Sequence, residues 1–222
     1  MSLYGRSWYW ASRPFTLTAS IIPVLVGSAL AFQESSVDLK LFVLVLMGVI
    51  LVQIGTNLVD EYTDESGPEG KEKLLAPYKV ISLGLLSSNA VRLGALSAFG
   101  IAGIIGVYLI LVGGWPILVI CLTSLAVAYF YSAGPRPLGK LAMGMPLVFL
   151  FMGPIIVLGA YYVQSKIFTI EAFLISMPVA CLVTAILLAN DLRDFEEDFA
   201  SGKITVVTMF GRPVGKCIWI LL

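Results

Sequence analysis

The 222-residue sequence contains no histidine, which removes the side chain most often used as a general base near neutral pH. Its three cysteines, Cys121, Cys181 and Cys217, each lie in an apolar segment, and none forms a Cys-x-x-Cys pair. They read as small buried hydrophobes, so neither a disulfide framework nor a thiolate metal site is expected. Charge is also scarce. Only 13% of residues are Asp, Glu, Lys or Arg, where a soluble domain carries about a quarter. The formal net charge is zero, and no nucleic acid is expected among the partners.

What remains is oil. Hydrophobic residues make up 59% of the chain, and the mean hydropathy is +0.95. Uncharged runs of the length that crosses a ~30 Å hydrocarbon core give six complete spans, roughly 14–33, 40–60, 90–112, 115–132, 141–163 and 170–190. "GGWP", Gly113 to Pro116, supplies the turn between the third and fourth. A seventh span is expected to start at Val214, and the last residues, "GKCIWILL", lie inside it. The first run lacks a clear small-residue cleavage site and reads as an uncleaved span. Twelve of the fourteen Lys and Arg residues fall in alternate segments: the N-terminus, the loop after span two, the loop after span four, and the segment after span six. By the positive-inside rule these face the cytoplasm of a multi-pass protein of the cell's inner or plasma membrane.

Acids are gathered even more tightly. "NLVDEYTDESGPEGKEK", Asn57 to Lys73, carries six of them, and "NDLRDFEEDFASGK", Asn190 to Lys203, carries five, out of fourteen in the chain. Four spans separate the clusters, so both emerge on one side, as in a parallel repeat of two halves. On a helix continued past the membrane edge, Asn57, Asp60 or Glu61, and Asp64 share one face, as do Asn190 or Asp191, Asp194 and Asp198. Like charges so arranged repel, and a membrane border raises that cost. One acidic loop is usually just a solvated loop. Two on the same side, each led by an Asn, make sense with divalent cations between them. Oxygen-only ligands favour a hard ion such as Mg²⁺, which leaves coordination positions for phosphate oxygens. Lys71, Lys73, Lys79, Arg136 and Lys203 fit the diphosphate of such a substrate.

These residues resemble the UbiA superfamily of intramembrane prenyltransferases along nearly the whole chain. "RPFTLTASIIPVLVGSALAF" is similar to the family's first helix, and the two acidic stretches to its two aspartate-rich motifs. "YSAGPRPLGKLAMGMPLVFLFMGPIIVLGAYYVQ", Tyr131 to Gln164, is similar to the 1,4-dihydroxy-2-naphthoate polyprenyltransferase branch of menaquinone synthesis. Asp60-Glu61 stands where the family commonly has Asn-Asp. The resemblance implies an all-α transmembrane bundle forming one membrane-embedded domain over 1–222, cut short at its C-terminus because the family fold continues with further spans.

It also implies a reaction: transfer of a polyprenyl group from its diphosphate to an aromatic acceptor within membrane lipid, with loss of the acceptor's carboxyl group. The Mg²⁺ ligand set would be drawn from Asn57, Asp60, Glu61, Asp64, Asn190, Asp194 and Asp198. Arg13, Lys73, Lys79, Arg136 and Lys203 would meet the diphosphate. Asp191 would orient or deprotonate the acceptor hydroxyl, and Tyr131 would contact diphosphate or shield the allylic cation with its ring. The rivals are a relative with another acceptor (a hydroxybenzoate, homogentisate, a tetrapyrrole or a glyceryl phosphate lipid), a CDP-alcohol phosphatidyltransferase, and a divalent-cation transporter. The second needs an Asp-Gly and Ala-Arg signature that neither cluster has, and the third wants ionisable groups at mid-membrane, where these spans are uncharged.

Overall fold

In the computed structural model, which describes residues 3–34, 37–65 and 79–222, the chain is helical almost throughout and has no strand among those residues. The order is α1 (Leu3–Ala11), α2 (Thr18–Glu34), α3 (Leu39–Glu65), α4 (Ser88–Gly113), α5 (Trp115–Ser132), α6 (Gly144–Leu150), a π-helical turn (Phe151–Ile155), α7 (Ile156–Ser165), α8 (Ile170–Arg193), α9 (Phe195–Ala200) and α10 (Val206–Leu221). Five segments are long and apolar enough to cross a bilayer: Leu39–Asp64, Ser88–Gly113, Trp115–Ser132, Gly144–Ser165 and Ile170–Arg193. A sixth crossing is present if the bent pair Leu3–Thr16 and Thr18–Gln33, which meet at 54°, counts as one span. The region of the expected seventh is α10, a 16-residue helix interrupted at Gly211 (φ 85°) and Pro213, and it is not among these segments.

Local chemistry sets the ends. Ser87 and Thr169 cap α4 and α8 by accepting hydrogen bonds from the Ala90 and Ala172 N–H groups. Gly114, at φ 72°, followed by Trp115-Pro116, ends α4 and starts α5 within one residue. The bend before α2 falls where Arg13 takes a left-handed backbone (φ 49°, ψ 63°) and Pro14 opens a single 3₁₀ turn. The fifth expected span, 141–163, is one broken crossing: Pro154 has no N–H to give, and the helix absorbs this as the π turn between α6 and α7.

The helices expose large apolar side chains outward, as lipid solvent allows, and pack inward through small residues. A Cβ on Gly27 of α2 would run into the Val157 carbonyl oxygen of α7, and one on Gly153 into Ala180 of α8. α3 also packs along α4, where Trp8 of α1 lies over Gly94. These contacts bring the ends of α2, α3, α5 and α8 that lie near Arg13, Asp64, Ser132 and Asp191 around one opening.

Candidate active site

α3 continues as helix to Glu65, so Asn57, Asp60 and Asp64 do lie on one face. The second cluster is arranged differently from the expected single helix. α8 ends at Arg193, Asp194 leaves helical geometry (φ −91°, ψ 13°), and α9 begins at Phe195. Two hydrogen bonds carry the register over the break, from Asp194 N–H to the Asn190 carbonyl (2.9 Å) and from Asp198 N–H to the Asp194 carbonyl (2.8 Å).

Two cavities meet between the clusters. The larger, about 580 Å³, is mostly apolar and is lined chiefly by α3, α4, α5, α7 and α8, with α2, α6 and the π turn. The smaller, about 210 Å³, is polar; Asp64, Lys140, Asp191, Asp194 and Lys203 line it. Arg13, Asp60, Tyr131, Ser132, Leu187 and Asn190 border both. An oily chamber and a charged chamber therefore share one mouth.

Each acid here already has a cation. Arg13 Nη1 donates to Asp60 Oδ2 at 2.6 Å, and Ser132 Oγ donates to Asp60 Oδ1 at 3.1 Å. Lys79 Nζ donates to Asp64 Oδ2 at 2.7 Å, with Lys140 Nζ 3.7 Å from Asp64 Oδ1. Lys203 Nζ sits 2.8 Å from Asp198 Oδ2 and 3.5 Å from Asp191 Oδ1. Arg193 forks onto Asp194 at 2.7 and 2.8 Å. Asn57 uses its amide hydrogens on the Ser12 carbonyl and Thr16 Oγ1, both at 2.9 Å, which leaves its carbonyl oxygen as an acceptor beside the large cavity.

Not every expected site residue faces the cavities. Glu61 is 2% exposed and turned toward the 79–86 segment: Oε1 accepts from Ile81 N–H at 3.2 Å and Oε2 lies 3.7 Å from Lys79 Nζ. One residue along a helix rotates the side chain by about 100°, so Asp60 reaches the mouth and Glu61 does not. Asp198 is wholly buried behind Lys203. Arg136 is exposed on the turn after α5 and lines neither cavity. Lys73 and Lys71 lie outside the described residues. Lys140 takes the position assigned to Arg136. A 3₁₀ turn (Leu138–Lys140) and the bridge from Ala142 N–H to the Ile204 carbonyl (2.7 Å) aim its loop at Asp64. The legible signal for it was only a second cation on the same short loop. The Tyr131 ring fits because Gly139 and Gly144 stand against it; a Cβ on Gly139 would come within 2.9 Å of the ring.

The donor set suits a hard cation, since apart from the Met145 thioether the ligand-capable side chains around the small cavity that are not cationic offer oxygen. No three such carboxylates converge among the described residues; Asp60 and Asp64 are paired with Arg13 and Lys79. Burial works against charge on Lys79, but Asp64 and Asp60 beside it hold the ammonium above its ordinary value. Burial likewise opposes charge on Lys203, and the Asp198 hydrogen bond with Asp191 outweighs it. Raised lysines contribute stability that is complete below their ordinary value of 10.5 and lost only as pH rises through the higher folded value. Neither can serve as a base. The melting temperature in detergent should therefore show no loss from deprotonation of these lysines between about pH 6 and 9.

The family model described as the UbiA prenyltransferase family matches residues 20–222. The chain is 36% identical over 208 residues to the 1,4-dihydroxy-2-naphthoate octaprenyltransferase of Bacillus subtilis (strain 168), covering 93% of this chain and 67% of that one. It is 29% identical over 206 residues to the enzyme of the same name from Mycobacterium tuberculosis, covering 92% of this chain and 70% of that one. The solved UbiA homolog from Archaeoglobus fulgidus bound to GPP and Mg²⁺ superposes with a TM-score of 0.71 at 16% identity, covering 97% of this chain and 73% of that one.

Proposed function

The chain belongs to the UbiA prenyltransferase family, and on that premise we propose that it joins a polyprenyl group to 1,4-dihydroxy-2-naphthoate with loss of CO₂. The observation that carries this reading is the shared mouth: a large apolar chamber for an isoprenoid tail opens directly onto a polar chamber for its diphosphate. A cation transporter has no use for the first chamber. Relatives named for the naphthoate support the acceptor.

Asn57, Asp60 and Asp64 on one side, with Asn190 and Asp194 on the other, would hold Mg²⁺. A Mg²⁺ ion held by these residues would supply neutralising charge for the leaving diphosphate. Arg13, Lys140 and Lys203 meet the remaining phosphate oxygens, while Lys79, which lines neither cavity, holds Asp64. As the allylic carbon–oxygen bond breaks, its electron pair leaves with the diphosphate, and these cations stabilise the charge that develops. The Tyr131 ring borders the point where the allylic carbon would sit and offers its face to the cation. Asp191, 6% exposed and lining the polar chamber, orients the acceptor hydroxyl and takes its proton while the ring carbon attacks. The carboxylate on the attacked carbon then leaves as CO₂, its bonding pair returns to the ring, and Asp191 gives the proton back to the acceptor oxygen. Glu61 serves this site indirectly, by holding the segment that presents Lys79.

The test is mass spectrometry of products from membranes carrying the chain, given a polyprenyl diphosphate and 1,4-dihydroxy-2-naphthoate with Mg²⁺ or with EDTA. A prenylated product lighter by CO₂, formed only with Mg²⁺, is expected. Prenylation of a different aromatic acceptor only would move the assignment to another branch of the family.

A further inference from the structure

The larger chamber keeps a polar step in its wall well below the mouth. On α3, Asp60, Asn57 and Gln53 line it from one helix face, and below Gln53 the lining residues are Val52, Val49, Gly48 and Val45. Gln53 is seven residues from Asp60, or about 10 Å deeper at a helical rise of about 1.5 Å. Ser20 Oγ of α2 donates to Gln53 Oε1 at 3.2 Å, and Ser20 is itself 1% exposed. Both hydrogens on Gln53 Nε2 are left over, and neither is bonded among the described residues.

α5 carries a second polar group to the same depth. α3 and α5 both run toward the mouth, where Ser132 Oγ meets Asp60 Oδ1 at 3.1 Å. Ser124, eight residues back along α5, therefore stands level with Gln53, and it lines the chamber too. Its hydroxyl makes no hydrogen bond among the described residues. Neighbouring hydroxyls differ: Thr56 Oγ1 and Thr123 Oγ1 each donate to the helix carbonyl four residues back, at 2.8 and 2.7 Å. Unspent donors in an oily cavity cost free energy unless a molecule in that cavity meets them.

The prenyl donor cannot meet them. Its polar end is the diphosphate, which belongs with the cations of the small cavity, and the rest of it is hydrocarbon. Resting on the naphthoate prenyltransferase reading, we propose that Gln53 Nε2 and Ser124 Oγ form a rung that hydrogen-bonds the acceptor's second hydroxyl, the one para to the hydroxyl that Asp191 handles, and so selects a para-dihydroxylated ring. The two oxygens of such a ring lie roughly 5.5 Å apart by ordinary covalent geometry. With a hydrogen bond at each end the ring reaches roughly 11 Å, close to the depth of the rung. In that pose the carboxylate, ortho to the first hydroxyl, stays beside the cations of the polar chamber and out of the oil.

The experiment uses Gln53→Met, which keeps the length and loses the amide, and Ser124→Ala, which removes one oxygen. Thr56→Val is the control, on the same wall but with a hydroxyl already spent. kcat/KM is measured for 1,4-dihydroxy-2-naphthoate and for 1-hydroxy-2-naphthoate, which lacks only the para hydroxyl, with one polyprenyl diphosphate. The donor's KM and the rise in melting temperature caused by each naphthoate are measured beside it. In Gln53→Met the preference for the dihydroxy compound should fall by about tenfold or more, as when a site loses the group that reads a substrate hydroxyl, with the donor's KM in place. Ser124→Ala should lower the preference in the same direction, and Thr56→Val should leave it alone. An unchanged preference in Gln53→Met, or an equal fall in Thr56→Val, overturns the rung. So does an equal loss with both naphthoates, the result of a Ser20–Gln53 contact that only joins two helices. If the unmodified chain prenylates neither compound, the acceptor reading falls, and the thermal shifts decide the rung separately. A larger shift from the dihydroxy compound, abolished by Gln53→Met, upholds it; equal shifts overturn it.

Discussion

Asp60→Asn is expected to lower turnover by about 10²- to 10³-fold, the usual cost of losing one preorganised charge partner at a developing anion. Asp60 occupies the one place where both cavities meet, and two separate groups aim it: Arg13 at 2.6 Å and Ser132 at 3.1 Å. Asn keeps the shape and one acceptor oxygen but loses the charge that draws in a divalent cation. It also leaves the Arg13 guanidinium without its closest carboxylate, next to the Glu61 carboxylate at 3.8 Å. The folded state should survive, because Asp60 is part-exposed at the mouth and its side chain is 31% accessible. The measurement is product formation against Mg²⁺ concentration, beside the melting temperature. A rate lost with the fold intact, partly restored by high Mg²⁺, fits a ligand; a rate near that of the unmodified chain would remove Asp60 from the site.

Glu61→Ala should do the opposite, with its first effect on stability. Glu61 and Lys79 are a buried pair, with side chains 1% and 6% accessible, and Glu61 also accepts the Ile81 N–H. Breaking a buried pair by removing one partner costs about 3–5 kcal/mol, because it strands the other charge and an amide donor. Here Asp64 still holds Lys79 at 2.7 Å, so the lower end of that range is expected, and the 79–86 segment should become accessible to protease. Glu61→Gln, which keeps an acceptor for Ile81, should recover much of the stability and retain activity within about tenfold. If Glu61→Gln instead abolished turnover while the melting temperature held, Glu61 would be a metal ligand, as its place in the acidic motif suggests from sequence.

These two neighbours mark the boundary between what could be read from the chain and what could not. Hydropathy identified the apolar segments because a helix in lipid must be oily along the length of the hydrocarbon core, whatever its partners. The alternation of Lys and Arg gives an expected orientation for the same kind of reason: it depends on counts per loop and not on contacts. The two clusters, with six acids and five, marked a candidate site because so much like charge at a membrane edge favours a bound cation.

Tertiary structure decided the rest. Helical spacing left Asp60 and Glu61 equally eligible, and only the rotation of α3, set by its packing along α4 and by Trp8 over Gly94, put Asp60 at the mouth and Glu61 under the 79–86 segment. Arg136 and Lys140 lie four residues apart on one loop. The bridge to Ile204 chose Lys140, through a hydrogen bond to a residue more than sixty positions away. Composition and periodicity decide what each segment is, because solvent acts on it locally. Where each side chain points is decided by helices that meet only once the bundle has formed.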